Sequence, residues 1–359
     1  MNTKRILGFA IVLILLCLLI YLQVRTWKNF DWHVFWSRTE GVNVAGLLAG
    51  VALTYMAYVL RAVRWRIFLK PVCKTTAARM LAPQFIGFTA LALLGRAGEM
   101  IRPYVIAKKE RLTFTSQMAV WGVERIFDMG AFAVLLAITL LSPDVRSLPF
   151  YHHVITIHGI QVDLGLRDGA FVLMAAVAVL VIGCVVVRRY GERVAQFLYG
   201  LFQSLSPKVA HHLREKVRSF SEGLKTIHDL TSALQLIALS ILMWVLIAFA
   251  YYTITHAYPG ELRSLALPHQ VVLMGASMLG SMLQLPAVGG GSQLAAISML
   301  HSGFGVEQEL AVSCGMLIWA ITFMAVIPTG LALAHREHLS IRAVAEAEEK
   351  AAALVEQGN

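Results

Sequence analysis

The chain has 359 residues, of which 58% are hydrophobic and only 14% are charged, and its mean hydropathy is +0.67. A soluble domain carries roughly 25% charged residues, so this composition excludes an ordinary soluble protein and indicates a chain that crosses a membrane several times. The net charge of +10 would suit a nucleic-acid partner, but the basic residues lie between apolar stretches, where membrane topology explains them better.

The first apolar segment, residues 6–22, follows a short basic sequence, as the core of a signal peptide would. No cleavage site of small residues comes after it, so we expect an uncleaved first span. Three tryptophans follow, as is typical of an aromatic belt at the outer interface: Trp27, Trp32 and Trp36. Residues 1–41 are therefore predicted to form a first span and an outer interfacial segment.

Full spans need about 20 mostly apolar residues. They are predicted over residues 6–22, 43–60, 114–141, 169–187, 231–255 and 307–334. Basic residues cluster in connections 61–79, 102–111 and 188–189, whereas connection 143–168 carries three aspartates against two arginines. The positive-inside rule places the basic connections in the cytoplasm. We therefore expect a multi-pass protein of the cytoplasmic membrane with both termini in the cytoplasm.

Two further segments lie on the cytoplasmic side of this topology. Connection 190–228 alternates apolar and basic residues, which fits amphipathic helices on the membrane surface and equally fits a solvated helical linker. The tail, residues 336–359, is rich in alanine and glutamate and is predicted to be a polar helix.

Two apolar stretches do not fit a simple count of spans. Residues 75–109 break at Gly95 and Gly98, and residues 268–303 break near Pro286. A single crossing by either stretch would put the basic clusters on opposite sides, so we predict two re-entrant helical hairpins of opposite orientation. The predicted fold is thus an all-α polytopic membrane protein with about six full spans and two re-entrant hairpins in an inverted-repeat arrangement.

Charged residues occur inside the span at 114–141, where Glu124, Arg125 and Asp128 lie about ten residues from its cytoplasmic start. One charge at the centre of a membrane helix costs about 2.5–3.5 kcal/mol, so these residues are expected to face the interior and to pair. Helical spacing predicts that Asp128 is the partner of Arg125. Three residues of the first hairpin are expected to join them in one buried network: Arg96, Glu99 and Arg102.

This predicted network has two interpretations, which do not exclude each other. It lines a path for a substrate or an ion, or it clamps the hairpin to its span, since buried ion networks often have only a structural role.

The second break carries three consecutive glycines, Gly289, Gly290 and Gly291, followed by Ser292 and Gln293. Backbone N–H groups of such turns can bind an anion, so the glycines and Gln293 are predicted to line the same path; a tight turn without a ligand is the alternative. No phosphate-binding nucleotide loop is present.

Metal and cofactor sites are not predicted. The four cysteines, Cys17, Cys73, Cys184 and Cys314, form no ligand spacing. Three histidines in the predicted outer loop are better explained by a solvated loop than by a metal site: His152, His153 and His158.

Four motifs resemble the flippase-like membrane domain of lysylphosphatidylglycerol synthases, the multiple peptide resistance factor type, over about residues 42–335. They are RAVRW (61–65), LLGRAGEMIRPYVIAKK (93–109), VERIFD (123–128) and LPAVGGGSQ (285–293). Family members typically have proline and two glycines followed by a glutamate near the last motif. Here Ala287 and Val288 separate Pro286 from the glycines, and Gln293 stands near the position of the acid.

This resemblance implies translocation of an anionic or amino-acylated phospholipid, or of a polyprenyl-phosphate-linked sugar, without ATP hydrolysis. The soluble aminoacyl-transferase domain of the bifunctional members would follow the last span, where only about 20 residues remain, so lipid synthesis is not expected. The expected partners are membrane lipids with an anionic head group. A homo-oligomer or an envelope-enzyme partner stays open.

Two other classes of function remain as alternatives. One is a membrane-embedded enzyme of lipid head-group chemistry, since acids and arginines also serve phosphoryl transfer. The other is a non-catalytic partner of an envelope-lipid enzyme, for which connection 190–228 would be the contact surface.

Overall fold

The computed structural model describes residues 31–148, 154–157, 160–163, 165–203, 230–285 and 289–337, together with positions 207, 210, 211, 214 and 217. Several predicted features lie outside these residues: the first span, Trp27, the three loop histidines, Pro286 and the tail beyond Glu337.

The described chain is mainly helical. Its first half contains α1 (Trp32–Glu40), α2 (Val44–Leu69), α3 (Ala77–Leu94), a 3-10 turn (Gly95–Met100), α4 (Ile101–Glu110), α5 (Phe114–Thr139), α6 (Pro143–Arg146), an antiparallel pair β1 (Val154–Ile157) and β2 (Ile160–Asp163), and α7 (Leu166–Phe202).

The second half begins with α8 (Leu230–His256), a 3-10 turn (Glu261–Ser264) and α9 (Leu267–Gly280). It continues with a 3-10 turn (Ser281–Leu283), the short antiparallel strands β3 (Gln284–Leu285) and β4 (Gly289–Gly290), α10 (Gly291–Ser298) and a π-helical turn (Met299–Gly303). It ends with α11 (Gln308–Trp319), a second π-helical turn (Ala320–Met324) and α12 (Val326–Arg336).

Helix α2 is longer than the predicted span 43–60. It begins where the side chain of Asn43 accepts a hydrogen bond from the backbone N–H of Ala45, and it continues to Leu69. The predicted end of this span at residue 60 is therefore nine residues too early, and the predicted cytoplasmic side of the basic segment stays a prediction. The helix continues because Arg61 and Arg64 are buried against other helices rather than solvated.

Four described helices are long and apolar enough to cross a membrane: Val44–Leu69, Ala77–Leu94, Thr231–His256 and Gln308–Arg336. A fifth candidate consists of Phe171–Val187 and Arg189–Phe202, which are bent by 95° where Tyr190 leaves helical geometry. Helix α5 has the length of a span but carries three charged residues. The predicted total of six spans stays a prediction.

Helices α2 and α8 pack against each other in antiparallel directions. The backbone N–H of Asn43 donates to the carbonyl of Ala257, and Arg64, further along α2, bonds Ser240, which lies earlier in α8. Helix α2 of the first half of the chain and helix α8 of the second half therefore run in opposite directions.

Helices α3 and α4 form an antiparallel hairpin, hereafter the first hairpin. Arg79 Nε bonds Glu110 Oε1 at 3.0 Å near its open end, and Gly87 lies against Arg102 further in. Near the tip, any side chain at Gly98 would overlap the carbonyl of Ala90. The chain thus reverses near this glycine, and the close approach of the two arms requires the missing side chain. That the hairpin re-enters the membrane stays a prediction.

Helices α9 and α10 form an equivalent antiparallel arrangement, hereafter the second hairpin. The ring of His269 lies 5.2 Å from that of Phe304 near its open end, and Gln284 pairs with Gly290 near its tip. Gly290 has φ of 124°, a conformation that L side chains rarely adopt.

The hairpins come together at their tips, where β3 contacts the 3-10 turn Gly95–Met100. Each half of the described chain therefore contains a long helix, a helical hairpin and a further long helical segment in the same order. The first hairpin packs on both α2 and α5, and this position brings its charged residues to those of α5.

Candidate functional site

Arg64 lies at the centre of a buried group of charges in the first half of the chain. Its Nη2 is 2.5 Å from Glu124 Oε1, and its Nη1 is 2.6 Å from Asp128 Oδ1. The two carboxylates are four residues apart on α5, so they project from one helix face toward the same guanidinium group. Ser240 Oγ on α8 accepts a further hydrogen bond from Nη1 at 2.9 Å. Arg64 thus connects α2, α5 and α8.

Arg102 brings the first hairpin into the same group. Its Nη2 forms an ion pair with Glu124 Oε2, and its Nη1 donates to Gln84 Oε1 at 3.1 Å. The guanidinium carbon lies 4.7 Å from the ring centroid of Trp65. Glu124 therefore forms ion pairs with one arginine from α2 and one from α4, and its side chain has no exposed surface. Charge-assisted bonds of this kind fix the position of the hairpin on α5.

Arg125 and Asp128 form the pair that helical spacing predicts. Arg125 Nη2 is 3.1 Å from Asp128 Oδ2, and the Arg125 side chain is 36% exposed. Arg125 is therefore the most accessible of the arginines around Asp128, which is itself only 7% exposed.

Arg61 is buried without an ion-pair partner. Its guanidinium carbon lies 4.6 Å from the ring centroid of Phe88, and no carboxylate of the described residues lies within 4 Å of its nitrogens. The residue is 8% exposed. We call the whole set the charge network: Arg61, Arg64, Arg102, Arg125, Glu124 and Asp128. It contains four arginines and two carboxylates, so it carries an excess of buried positive charge.

A narrow cleft reaches the charge network from the first hairpin. Glu99, Arg102, Trp121 and Arg125 contribute to its wall, and its volume is about 20 Å³. Glu99 therefore faces the same space as Arg125, but no ion pair within 4 Å joins it to a described side chain, so its place in the buried network stays a prediction. The side chain of Arg96 lies outside the described part of the structure.

The predicted residues of the second hairpin are not joined to the charge network by any hydrogen bond or ion pair between described groups. Gln293 Oε1 accepts a hydrogen bond from the backbone N–H of Gly290 at 3.3 Å, which closes the start of α10. Gly289 pairs with Leu285, and Gly291 opens the helix. Their predicted contact with a substrate stays a prediction.

Two arginines of the network, Arg61 and Arg64, were not predicted as site residues. They are three residues apart, so they share a helix face, and the adjacent Trp65 is fully buried. This spacing in RAVRW was the available signal, but a cytoplasmic basic cluster explained it equally well.

The described residues contain no group of three or more histidine, cysteine, aspartate or glutamate side chains that could hold a metal ion. The polar groups that the structure does bring together are guanidinium and carboxylate groups. Their combination suits the binding of an anion beside a buried carboxylate pair.

Long apolar helices and an internal charge network define a multi-pass helical membrane protein. The chain belongs to the family of the lysylphosphatidylglycerol synthase TM region, whose model matches residues 5–330. It is similar to a UPF0104 membrane protein of Methanothermobacter thermautotrophicus, with 24% identity over 308 residues, which cover 80% of this chain and 83% of that protein.

Proposed function

We propose that this protein moves an anionic lipid between the leaflets of the cytoplasmic membrane without hydrolysing ATP. The observation that carries the proposal is the excess of arginine over carboxylate in the charge network. An arginine such as Arg61, buried without a carboxylate partner, is costly in a low-dielectric interior unless an anion neutralises it. A lipid phosphate is an anion that guanidinium groups bind in a bidentate manner.

An apolar groove beside the charge network supports a lipid rather than a free anion. It lies between α5, α7 and α8, has a volume of about 490 Å³ and is lined almost entirely by apolar side chains. Ser240 forms part of its wall and also bonds Arg64. A lipid whose phosphate binds the arginines would thus place its acyl chain beside an apolar surface.

The two hairpins supply the conformational part of the proposal. We propose that they re-enter the membrane from opposite sides as two inverted repeats, with the termini in the cytoplasm. The antiparallel packing of α2 on α8 and the contact between the hairpin tips support this arrangement. In inverted-repeat transporters, movement of one repeat against the other exposes a midplane site to each side in turn.

The test uses purified protein in liposomes that contain a trace of fluorescent phosphatidylglycerol or fluorescent phosphatidylcholine. A membrane-impermeant quencher measures how much of each lipid reaches the outer leaflet. We expect the anionic lipid to move faster than the zwitterionic lipid, and we expect Arg61→Gln and Arg102→Gln to remove this difference. Arg79→Gln is the matched control, because its ion pair with Glu110 lies on a side chain that is 55% exposed.

Extraction and mass analysis of the same lipids separate movement from chemistry. A change of leaflet without a new lipid species supports translocation, whereas a new species supports the head-group enzyme. Equal rates for both lipids, or rates that the arginine variants leave unchanged, would contradict the proposal.

A further inference from the structure

The second half of the chain contains an uncharged cavity of about 150 Å³ between α8, α9, α10 and α11, whose mainly apolar wall carries several hydroxyl groups. We call it the serine cavity. Its polar lining comes from five hydroxyl groups and one indole: Tyr251, Ser277, Ser281, Ser292, Thr322 and Trp319. No aspartate, glutamate, lysine, arginine or histidine is among its lining residues. It therefore differs in chemistry from the charge network.

Several polar atoms in the wall of the serine cavity lack hydrogen-bond partners. The hydroxyl of Ser292 and the indole N–H of Trp319 are buried and bond no described group. Ser277, which is 7% exposed, lies near Tyr251 but forms no well-directed hydrogen bond. A buried donor without a partner costs about 1–3 kcal/mol, so a ligand that supplies the missing partners would be stabilised here.

One wall of the serine cavity is a π-helical turn, Ala320–Met324, which contains Thr322. Single π-helical turns within α-helices are rare overall, and a large share of them lie at functional sites. The π-helical turn is a second observation, independent of the unpaired donors, and it lies at the same cavity.

In the order of the helices along the chain, three residues of the serine cavity match three residues of the charge network. Tyr251 on α8 corresponds to Arg64 on α2, and Ser292 on the returning arm of the second hairpin corresponds to Arg102 on that of the first. Thr322, in the final long helical segment, corresponds to Asp128. Each residue follows its counterpart by about 190 positions, as two structural repeats would require.

From these observations we infer that the serine cavity is a second binding station, which takes an uncharged polyol group of a lipid head group. The inference rests on the proposed function and narrows its substrate class. Serine, threonine and tyrosine hydroxyls both donate and accept hydrogen bonds, and the indole N–H donates, so they match a group that carries several hydroxyls. A charged group would enter a buried site without a countercharge, which is strongly unfavourable.

The volume of the serine cavity fits this chemistry. A cavity of about 150 Å³ in a protein interior holds one benzene ring, and the serine cavity is partly open, so a sugar or inositol ring would insert one hydroxyl-bearing edge rather than be enclosed. The rings of Trp319 and Phe323 supply apolar surface for the C–H groups of such a ring.

The serine cavity is a separate station from the charge network. Ser240, which bonds Arg64, and Tyr251 both lie on α8, and the 1.5 Å rise per residue separates them by about 16 Å along the helix. The phosphate and the polyol of one lipid therefore interact with different halves of the molecule, at the same time in a long head group or in succession in a short one.

The experiment measures retention of three lipids, with unsubstituted diacylglycerol as the baseline; all have identical acyl chains, are supplied in equal amounts in nanodiscs and are identified by native mass spectrometry. Phosphatidic acid carries the phosphate alone, glucosyl diacylglycerol carries the polyol ring alone, and phosphatidylinositol carries both. For the wild-type protein we expect retention of glucosyl diacylglycerol well above that of unsubstituted diacylglycerol, and we expect phosphatidylinositol, whose short head group cannot reach both stations at once, to be retained through either one.

The double variant Ser277→Ala/Ser292→Ala should retain glucosyl diacylglycerol at least about fivefold less, since two hydrogen bonds of about 0.5–1.5 kcal/mol each are lost. Its retention of phosphatidic acid should not change. Ser264→Ala is the matched control, because this exposed hydroxyl bonds the carbonyl of Glu261 away from the cavity. If the double variant does not fold, Trp319→Phe keeps the ring, removes the unpaired N–H and should act in the same direction.

Two outcomes would overturn the inference: wild-type protein that does not retain glucosyl diacylglycerol, or cavity variants that retain all three lipids in the wild-type ratio. The proposed function is tested separately by Arg61→Gln, which should lower phosphatidic acid retention and leave glucosyl diacylglycerol unchanged. An unchanged phosphatidic acid signal in that variant would contradict the arginine site without affecting the result for the polyol.

Discussion

Removal of Arg64 gives the most direct test of the charge network. The substitution Arg64→Met keeps much of the volume of the side chain and deletes the guanidinium group that bonds Glu124, Asp128 and Ser240. Both carboxylates stay buried, so the variant creates uncompensated negative charge rather than only a cavity. Loss of one partner from a buried ion pair typically costs about 3–5 kcal/mol.

The two carboxylates are not affected equally. Glu124 keeps its ion pair with Arg102, whereas Asp128 keeps only Arg125, whose side chain is 36% exposed. Most of the cost should therefore come from Asp128. In the double variant Arg64→Met/Asp128→Asn the stranded charge is absent, and about 1–3 kcal/mol of the cost should be recovered.

The assay compares thermal unfolding of the purified variants in one detergent, followed by tryptophan fluorescence. Arg79→Met is the matched control; the Arg79 side chain is 55% exposed, and Glu110, which is 7% exposed, keeps a hydrogen bond from Thr75, so the change in stability should be clearly smaller than that of Arg64→Met. If Arg64→Met is as mild as this control, or if the double variant equals the sum of the single variants, Arg64 does not organise the network.

Three further predictions concern the hairpin, the topology and the role of Glu99. Gly98→Val should lower the unfolding temperature and the folded yield, because the two arms of the first hairpin touch at this glycine. Gly183→Val should change neither, since a side chain there meets no atom within 4 Å, and equal effects of the two variants would contradict the close approach. Single cysteines at Lys74 and Lys108, introduced into a cysteine-free background, should react with an impermeant reagent from the same, cytoplasmic side; labelling from opposite sides would exclude the hairpin topology. Glu99→Gln should abolish lipid movement in liposomes while folded yield stays near that of the wild type, and activity that only follows folded yield would make the network a structural clamp.

The chain reversal in the first hairpin was predictable because local sequence indicates it. Gly95 and Gly98 interrupt an apolar run near its centre, and basic residues flank the run at both ends. That the hairpin returns to the side of the membrane that it left stays a prediction from the positive-inside rule. The pair of Arg125 and Asp128 was also predictable from local sequence, since helical spacing alone brings the two side chains together.

Arg64 was not predictable by these means, because its partners lie 60 and 64 residues away. An arginine near the cytoplasmic end of an apolar helix usually reaches the aqueous interface, and only the position of α5 shows that this one is buried. Arg102 was expected to join the network, but its particular pairing with Glu124 follows from the packing of the first hairpin on α5. The serine cavity gave no signal in the sequence, since isolated hydroxyl residues in apolar helices usually bond their own backbone.

The size of the cleft beside Arg102 and Arg125 links the structural and the transport interpretations of the charge network. A volume of about 20 Å³ is close to the minimum that one water molecule needs, so a lipid phosphate cannot enter the conformation described. In the proposed transport cycle, opening of the cleft would separate Arg102 on the hairpin from Glu124 on α5, which keeps its ion pair with Arg64. An arriving phosphate would replace the lost carboxylate for Arg102, whereas opening without an anion would leave Arg102 without an ion-pair partner. Under this proposal, the contacts that hold the hairpin in place are the same contacts that would make its opening depend on an anionic lipid.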